Sequence, residues 1–153
     1  MPPSLTIRPM TDKDIPATAK LLAAAFNASA FHTEQELASA AHKGDLRRTF
    51  VAATAEGKVV GVSICENNGE TFSIEMLAVA ADQRRAGIGA QLMQHTENFM
   101  RDNWLRGQTA TIAIEDLTKR GNGGSRYYEN MGYQRTGKTG STGAPVLYKT
   151  LSP

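Results

Sequence analysis

From residue 49 the apolar residues fall into a period of two, in three runs: TFVAAT, KVVGVSIC and ETFSIEMLAVA. That period belongs to strands, whose successive side chains point to opposite faces of a sheet. The turns between the runs, AEGK and ENNGE, each hold a glycine where a tight turn wants positive φ. Strands joined this briefly leave no room for a crossover, so the three form an antiparallel meander. The period then becomes helical: Ile88, Leu92, Phe99 and Met100 share one face, with His95 and Thr96 on its edge.

The flanks complete the plan. LTIRP, Leu5 to Pro9, alternates and stops at proline, as a strand does. Thr11 or Asp12 is placed to cap a helix through Ile15, Thr18, Ala19, Leu22 and Phe26. Thr33 with Glu36 three residues later is a capping box, opening a second helix that ends near Gly44. After the long helix come a strand TATIAI, a glycine-rich bend RGNGGS, a short helix around SRYYENM, and two closing strands, GYQRT and PVLYKTL. The order β-α-α-β-β-β-α-β-α-β-β predicts an α/β (α+β) fold with a mixed, mostly antiparallel central sheet and helices on both faces. At 153 residues the chain is expected to be one domain, residues 1–153 with a core of about 4–151. A domain of that size buries roughly 70% of the surface its unfolded chain exposes, enough to fold without disulfide or metal.

Charge and cysteine usage narrow the function. The net charge is only +2 and the basic residues are dispersed, which argues against a nucleic-acid partner. No Cys/His cluster has zinc spacing, so no metal is expected. The lone Cys65 lies in VVGVSIC, where it reads as a small buried hydrophobe. MPPSLTIRPM lacks the pattern of a secretory signal, and no run approaches the roughly 20 apolar residues of a membrane span. A cytoplasmic protein with no membrane partner is the expectation.

The junction ADQRRAGIGAQL, Ala81 to Leu92, joins the most apolar extended run to the amphipathic helix. A helix N-terminus presents N–H groups without intrahelical partners and about half a positive charge, so a phosphate docks there readily. Gly87 and Gly89 remove side chains that would keep a phosphate from those amides, and Arg84 and Arg85 add charge and forked donors. A tight turn with solvated arginines has the same spacing. The absence of G-K-[ST] excludes a Walker loop, and GIGAQL lacks the third glycine of the dinucleotide fingerprint.

These residues resemble the GNAT superfamily of acyl-coenzyme A-dependent N-acetyltransferases. LAVAADQRRAGIGAQLM, 77–93, is similar to the family's [QR]-x-x-G-x-G/A pyrophosphate loop and its preceding strand. SRYYENMGY, 125–133, is similar to the later helix in which a tyrosine precedes E-x-x-G-[FY], and TIRPMTDKDIPATAKL matches the usual first strand and helix. The resemblance implies acetyl-CoA as cosubstrate. Arg84, Arg85, Ala86, Gly87, Ile88, Gly89 and Ala90 would hold its pyrophosphate, while Leu77, Ala78 and Val79 would flank the pantetheine arm as an added strand does. Tyr128 corresponds to the family's tyrosine near the thioester sulfur. The family's asparagine seven residues earlier falls on Gly121, and Asn122, one place off, is the candidate contact from that loop. Similar proteins often dimerise, so a homodimer is a further expectation.

The chemistry assigns roles. A free alkylamine has a pKa near 10, so a proton must leave before attack. Glu75 is the candidate base, on the strand that ends at the cradle; a period of two places Ser73, Glu75 and Leu77 on one face. A solvent-facing or salt-bridged glutamate is the alternative, and ordered water the alternative base. The Val79 N–H suits a developing oxyanion and the Tyr128 hydroxyl suits the departing thiolate. His32, Glu34 and Glu36 are candidate ligands of a cationic amine or a solvated surface. His95 reads as a helix-edge residue, Trp104 as a seal on the core. Tyr127, about 100° round the helix from Tyr128, reads as packing. The expected activity is acetyl transfer from acetyl-CoA to a primary amine, most simply of a small molecule, by direct attack. A protein N-terminal or lysine acetyltransferase and a catalytically silent acyl-CoA-binding module are the competing readings.

Overall fold

The computed structural model describes residues 4–26, 34–38, 46–69, 71–83, 87–115, 124–140 and 143–153. The strands are β1 (Leu5–Pro9), β2 (Arg47–Thr54), β3 (Val59–Asn67), β4 (Phe72–Val79), β5 (Ala110–Glu115), β6 (Gln134–Thr139) and β7 (Pro145–Leu151). The helices are α1 (Ile15–Phe26), α2 (34–38), α3 (Ile88–Asn103) and α4 (Gly124–Glu129). All strands join one sheet in the order β1-β2-β3-β4-β5-β7-β6. Every neighbouring pair is antiparallel except β4–β5, which α3 connects as a parallel crossover.

Strand alternation divides the apolar residues between two cores, one on each face. On one face Phe50, Ala52, Val60 and Ile74 pack with Ile88, Leu92, Met93 and Met100 of α3. On the other Val51, Val62, Ile64 and Ala78 pack with Ile15, Ala19 and Leu22 of α1 and Leu37 of α2. Helices therefore cover both faces, as the element order predicts. The opening of α2 at Thr33 and its end near Gly44 lie outside the described residues.

Each helix is fastened where it meets the sheet. Thr11 caps a 3-10 turn, Asp12–Asp14, that leads into α1. The Thr11 N–H and hydroxyl both donate to Asp14 Oδ2, at 2.8 and 3.0 Å, and Arg8 grips the same carboxylate at 2.6 and 3.0 Å. On the opposite face α3 lies close to β3, because a Cβ on Gly61 would stand 2.8 Å from Leu92 Cδ1 and 3.1 Å from Ile88 Cγ2. The buried hydroxyls of Ser63 and Thr96 meet there at 2.7 Å, and Thr96 also donates to the Leu92 carbonyl. Trp104, 9% exposed, stacks on Phe72 and meets Phe99 edge-on, sealing the far end of this core.

Glu97 fastens the C-terminal strands. It lies on α3 at 2% exposure, deeper than the apolar stripe of the sequence implies. Its carboxylate accepts from the Tyr133 hydroxyl at 3.1 Å and from Lys149 Nζ of β7 at 2.8 Å, with Arg101 at 3.9 Å. Lys149 also donates to the Met131 carbonyl at 2.7 Å and lies 5.5 Å from the centre of the Tyr133 ring. Burial, with Glu97 beside it, pushes the Tyr133 phenol well above its usual pKa, so it stays a donor.

Candidate active site

The site lies where β4 loses a neighbour. β4 and β5 pair over Phe72–Ile112, Ser73–Ala113 and Ile74–Ile114. Among the described residues that pairing goes no further: Glu115 still pairs with Val146 of β7, but β4 from Glu75 to Val79 has no partner on its β5 side. On its other side β4 continues along β3 as far as Gly61–Val79. The Ala80 N–H donates to the Val60 carbonyl at 2.8 Å. Main-chain groups alternate between the two edges of a strand, so the N–H and C=O groups of Val79 and Leu77 point away from β3, into the open edge. Unpaired main-chain groups along an edge are a template for an extended ligand.

A bulge marks the start of this open stretch. Ile64 pairs with Met76 and Cys65 with Ile74, leaving Glu75 as the extra residue of β4. The bulge corrects the expected alternation. Ser73 and Glu75 do share a side, with the Ser73 hydroxyl donating to Glu75 Oε1 at 2.8 Å. Met76 and Ala78 pack in the α1 core, whereas Leu77 and Val79 pack in the α3 core. Leu77 thus lies across the sheet from Glu75, because one unpaired residue reverses every face beyond it. Half-buried Glu75 faces the α1 side, while the strand beyond it presents its main chain to the gap.

At the end of β4 the chain turns into α3. Gly87 is the N-cap, at φ 76° and ψ 12°, a left-handed conformation that side chains resist. A Cβ there would meet nothing within 4 Å, so the backbone rather than crowding demands glycine. Ile88 is buried at 1% and anchors the first turn, while Ala90 is exposed. The first N–H groups of α3 have no intrahelical partners. Gly89 has a different reason to be small: a Cβ would collide with the hydroxyl of Tyr127. Arg84, Arg85, Ala86 and Asn122 lie outside the described residues, as does His32.

The two tyrosines of α4 part company. Tyr128, 5% exposed, belongs to the core that holds Leu77 and Val79 and meets the Tyr133 ring edge-on at 6.2 Å. Tyr127, expected as packing, rests edge-on against Tyr128, is 41% exposed and reaches the first turn of α3. Adjacent helix positions point about 100° apart, and the core takes Tyr128.

Other residues fall away from the gap. His95 packs edge-on against Phe50 at 4.8 Å. Cys65 is fully buried, and burial pushes its thiol up to about 12, which makes it inert. Glu34 and Glu36 are exposed on α2. A cavity of about 650 Å³ lined by Phe72, Trp104, Arg106 and Ala110 opens at the other end of the sheet, where β4 and β5 begin. Among the described residues there is no cluster of three metal-ligating side chains, and no helix is long and apolar enough to cross a membrane.

Sequence and fold comparisons agree on the class. The acetyltransferase (GNAT) domain family matches residues 45–135, and the chain belongs to that family. Comparison with curated proteins returns no matching relative. Among solved structures, the chain is similar to a ribosomal-protein-S18-alanine N-acetyltransferase from Escherichia coli at 20% identity and TM-score 0.72, over 98% of this chain and 96% of that one. It is similar to a spermidine N-acetyltransferase from Vibrio cholerae at 16% and 0.70, over 95% and 93%. An N-acetyltransferase from Thermoplasma acidophilum, solved in complex with coenzyme A, matches at 14% and 0.68, over 97% and 99%. At these identities the likeness is one of fold.

Proposed function

We propose that the protein transfers an acetyl group from acetyl-CoA to a primary amine of a small molecule, by direct attack without a covalent enzyme intermediate. The observation that carries this reading is the open edge of β4 together with the glycine-capped N-terminus of α3, the next helix in the chain. The residues fit the coenzyme. Leu77 and Val79 offer main-chain groups to an extended arm, and the first turn of α3 from Gly87 to Ala90 offers amides to a diphosphate. Arg84, Arg85, Ala86 and Asn122 are proposed as further contacts.

Bound acetyl-CoA would supply the activated acetyl group as a thioester. Glu75 takes the proton from the ammonium form of the acceptor, whose pKa near 10 otherwise keeps it unreactive. The Val79 N–H donates to a carbonyl oxygen that gains negative charge. Tyr128, in the core alongside Val79, gives its proton to the thiolate as the carbon–sulfur bond breaks, and the proton that the new amide nitrogen sheds restores the phenol. The acceptor enters from the α1 side, where Glu75 lies and where exposed Glu34 and Glu36 add negative charge attractive to a cationic amine.

The test is acetyl-CoA turnover followed as free thiol against polyamines, other small amines and basic peptides, alongside calorimetry with coenzyme A at neutral pH. Saturable binding with thiol release on small amines is the expected result. Release on peptides alone would make it a protein acetyltransferase, binding without release a silent module, and no saturation at millimolar coenzyme A would end the coenzyme reading.

A further inference from the structure

Tyr127 packs against its neighbour and still reaches beyond it. The residue is 41% exposed, and its ring lies edge-on against Tyr128, with centroids 5.3 Å apart at 75°. Its hydroxyl lies over Gly89, in the space a Cβ there would fill, and that Cβ position would itself stand 3.6 Å from Val79 Cγ2. The phenol oxygen therefore stands at the first turn of α3, with the last residue of β4 also close to that turn. Among the described residues it has no hydrogen-bond partner. Burial raises the phenol's pKa, so the group is a donor throughout the neutral range. The first turn of α3 also carries N–H groups without intrahelical partners. Several donors meeting at one helix N-terminus suit an anion with many acceptor oxygens.

We propose that Tyr127 is a coenzyme-binding residue whose hydroxyl donates a hydrogen bond to the diphosphate of coenzyme A at the first turn of α3. The proposal rests on the acetyl-CoA reading above. It also gives Gly89 a specific reason to be glycine: the missing side chain admits the Tyr127 hydroxyl to the diphosphate site. Tyr127 and Tyr128 then divide the labour of α4, one holding the coenzyme and the other serving the sulfur.

Coenzyme A is the probe, titrated calorimetrically into the wild type, Tyr127→Phe, Gly89→Ala and the double variant, with thermal melting as the check on folding. Tyr127→Phe should weaken binding about tenfold, as loss of a hydrogen bond to a charged group does, at an unchanged melting temperature. Gly89→Ala should weaken it similarly by displacing the hydroxyl, and the double variant should bind within about twofold of Tyr127→Phe. Pantetheine, which lacks the diphosphate, should bind the wild type and Tyr127→Phe equally. In turnover, Tyr127→Phe should raise KM for acetyl-CoA and leave kcat within about twofold, whereas Tyr128→Phe should lower kcat. If the wild type binds coenzyme A and Tyr127→Phe binds it as tightly or more tightly, the proposal fails while the acetyl-CoA reading stands. An equal loss with pantetheine overturns the diphosphate assignment, and failure of the wild type itself to saturate sinks the underlying reading instead.

Discussion

Glu75 and Glu97 carry the same carboxylate into the interior and meet opposite surroundings. Glu97 is 2% exposed and is held by Tyr133, by Lys149 and, at longer range, by Arg101. Its partners come from α3, from the segment after α4 and from β7, so the contact fastens three parts of the chain together. Glu75 sits half-buried on a bulge at an open strand edge. Its one described hydrogen bond is to the neutral hydroxyl of Ser73, two residues away, and no described cation lies within salt-bridge distance. A carboxylate surrounded by long-range cationic partners serves the fold. One beside a single local neutral donor is not spent on fastening the fold.

The largest effect should come from breaking the fastened one. Glu97→Ala takes the carboxylate from Lys149, only 24% exposed, and leaves the Tyr133 hydroxyl without its acceptor. Loss of one member of a buried pair is strongly destabilising, and about 3 kcal/mol of unfolding free energy is expected in urea titrations. Because Tyr133 packs against Tyr128, activity should fall too, but in step with the folded fraction. A loss below about 1 kcal/mol would mean that burial of Glu97 carries no structural weight, and the contrast would dissolve.

Glu75→Gln should do the reverse. Removing a general base lowers turnover about a hundredfold, roughly 2.7 kcal/mol of barrier, while the isosteric amide still accepts from Ser73. The melting temperature should stay within a degree or two of the wild type. Unchanged turnover would hand the proton to ordered water. A melting temperature as low as that of Glu97→Ala would make Glu75 a second structural carboxylate.

Why the sequence exposes one of these residues and hides the other is physical. Period-two alternation from residue 49 to 80 reports the local backbone, so the meander, the two-sided sheet and the strand leading to the cradle are all visible in it. Glu75 stands out as a charge in an apolar run. The bulge does not, because a single unpaired residue leaves composition untouched and reveals itself only in the pairing with β3; hence the misplacement of Leu77. Glu97 is invisible for another reason. On a helix edge beside His95 and Thr96 it resembles any solvated glutamate, and its partners at 133 and 149 are brought to it only by the finished fold. The two tyrosines of α4 are legible as a pair, but which faces the cleft depends on the docking of α4 against α3.

Asp14 extends the contrast to a third carboxylate, one of the fastened kind but nearer the surface. Arg8 holds it with two hydrogen bonds and Thr11 adds two more, which keeps the carboxyl well below the usual carboxylate range. The unfolded chain binds a proton there near pH 3.8, whereas the folded chain resists it. The stabilisation is therefore complete above about pH 4 to 5 and is lost as the pH falls through the folded value. Asp14→Asn should lose about 1.5 kcal/mol at pH 7, the scale of a charge-assisted hydrogen bond tempered by the partial exposure of Arg8. In parallel denaturation series the gap between wild type and variant should narrow as the pH drops from 5 toward 2. A gap that stays constant would show that the pair acts through shape rather than charge, and the rule separating Glu97 from Glu75 would then need a different basis.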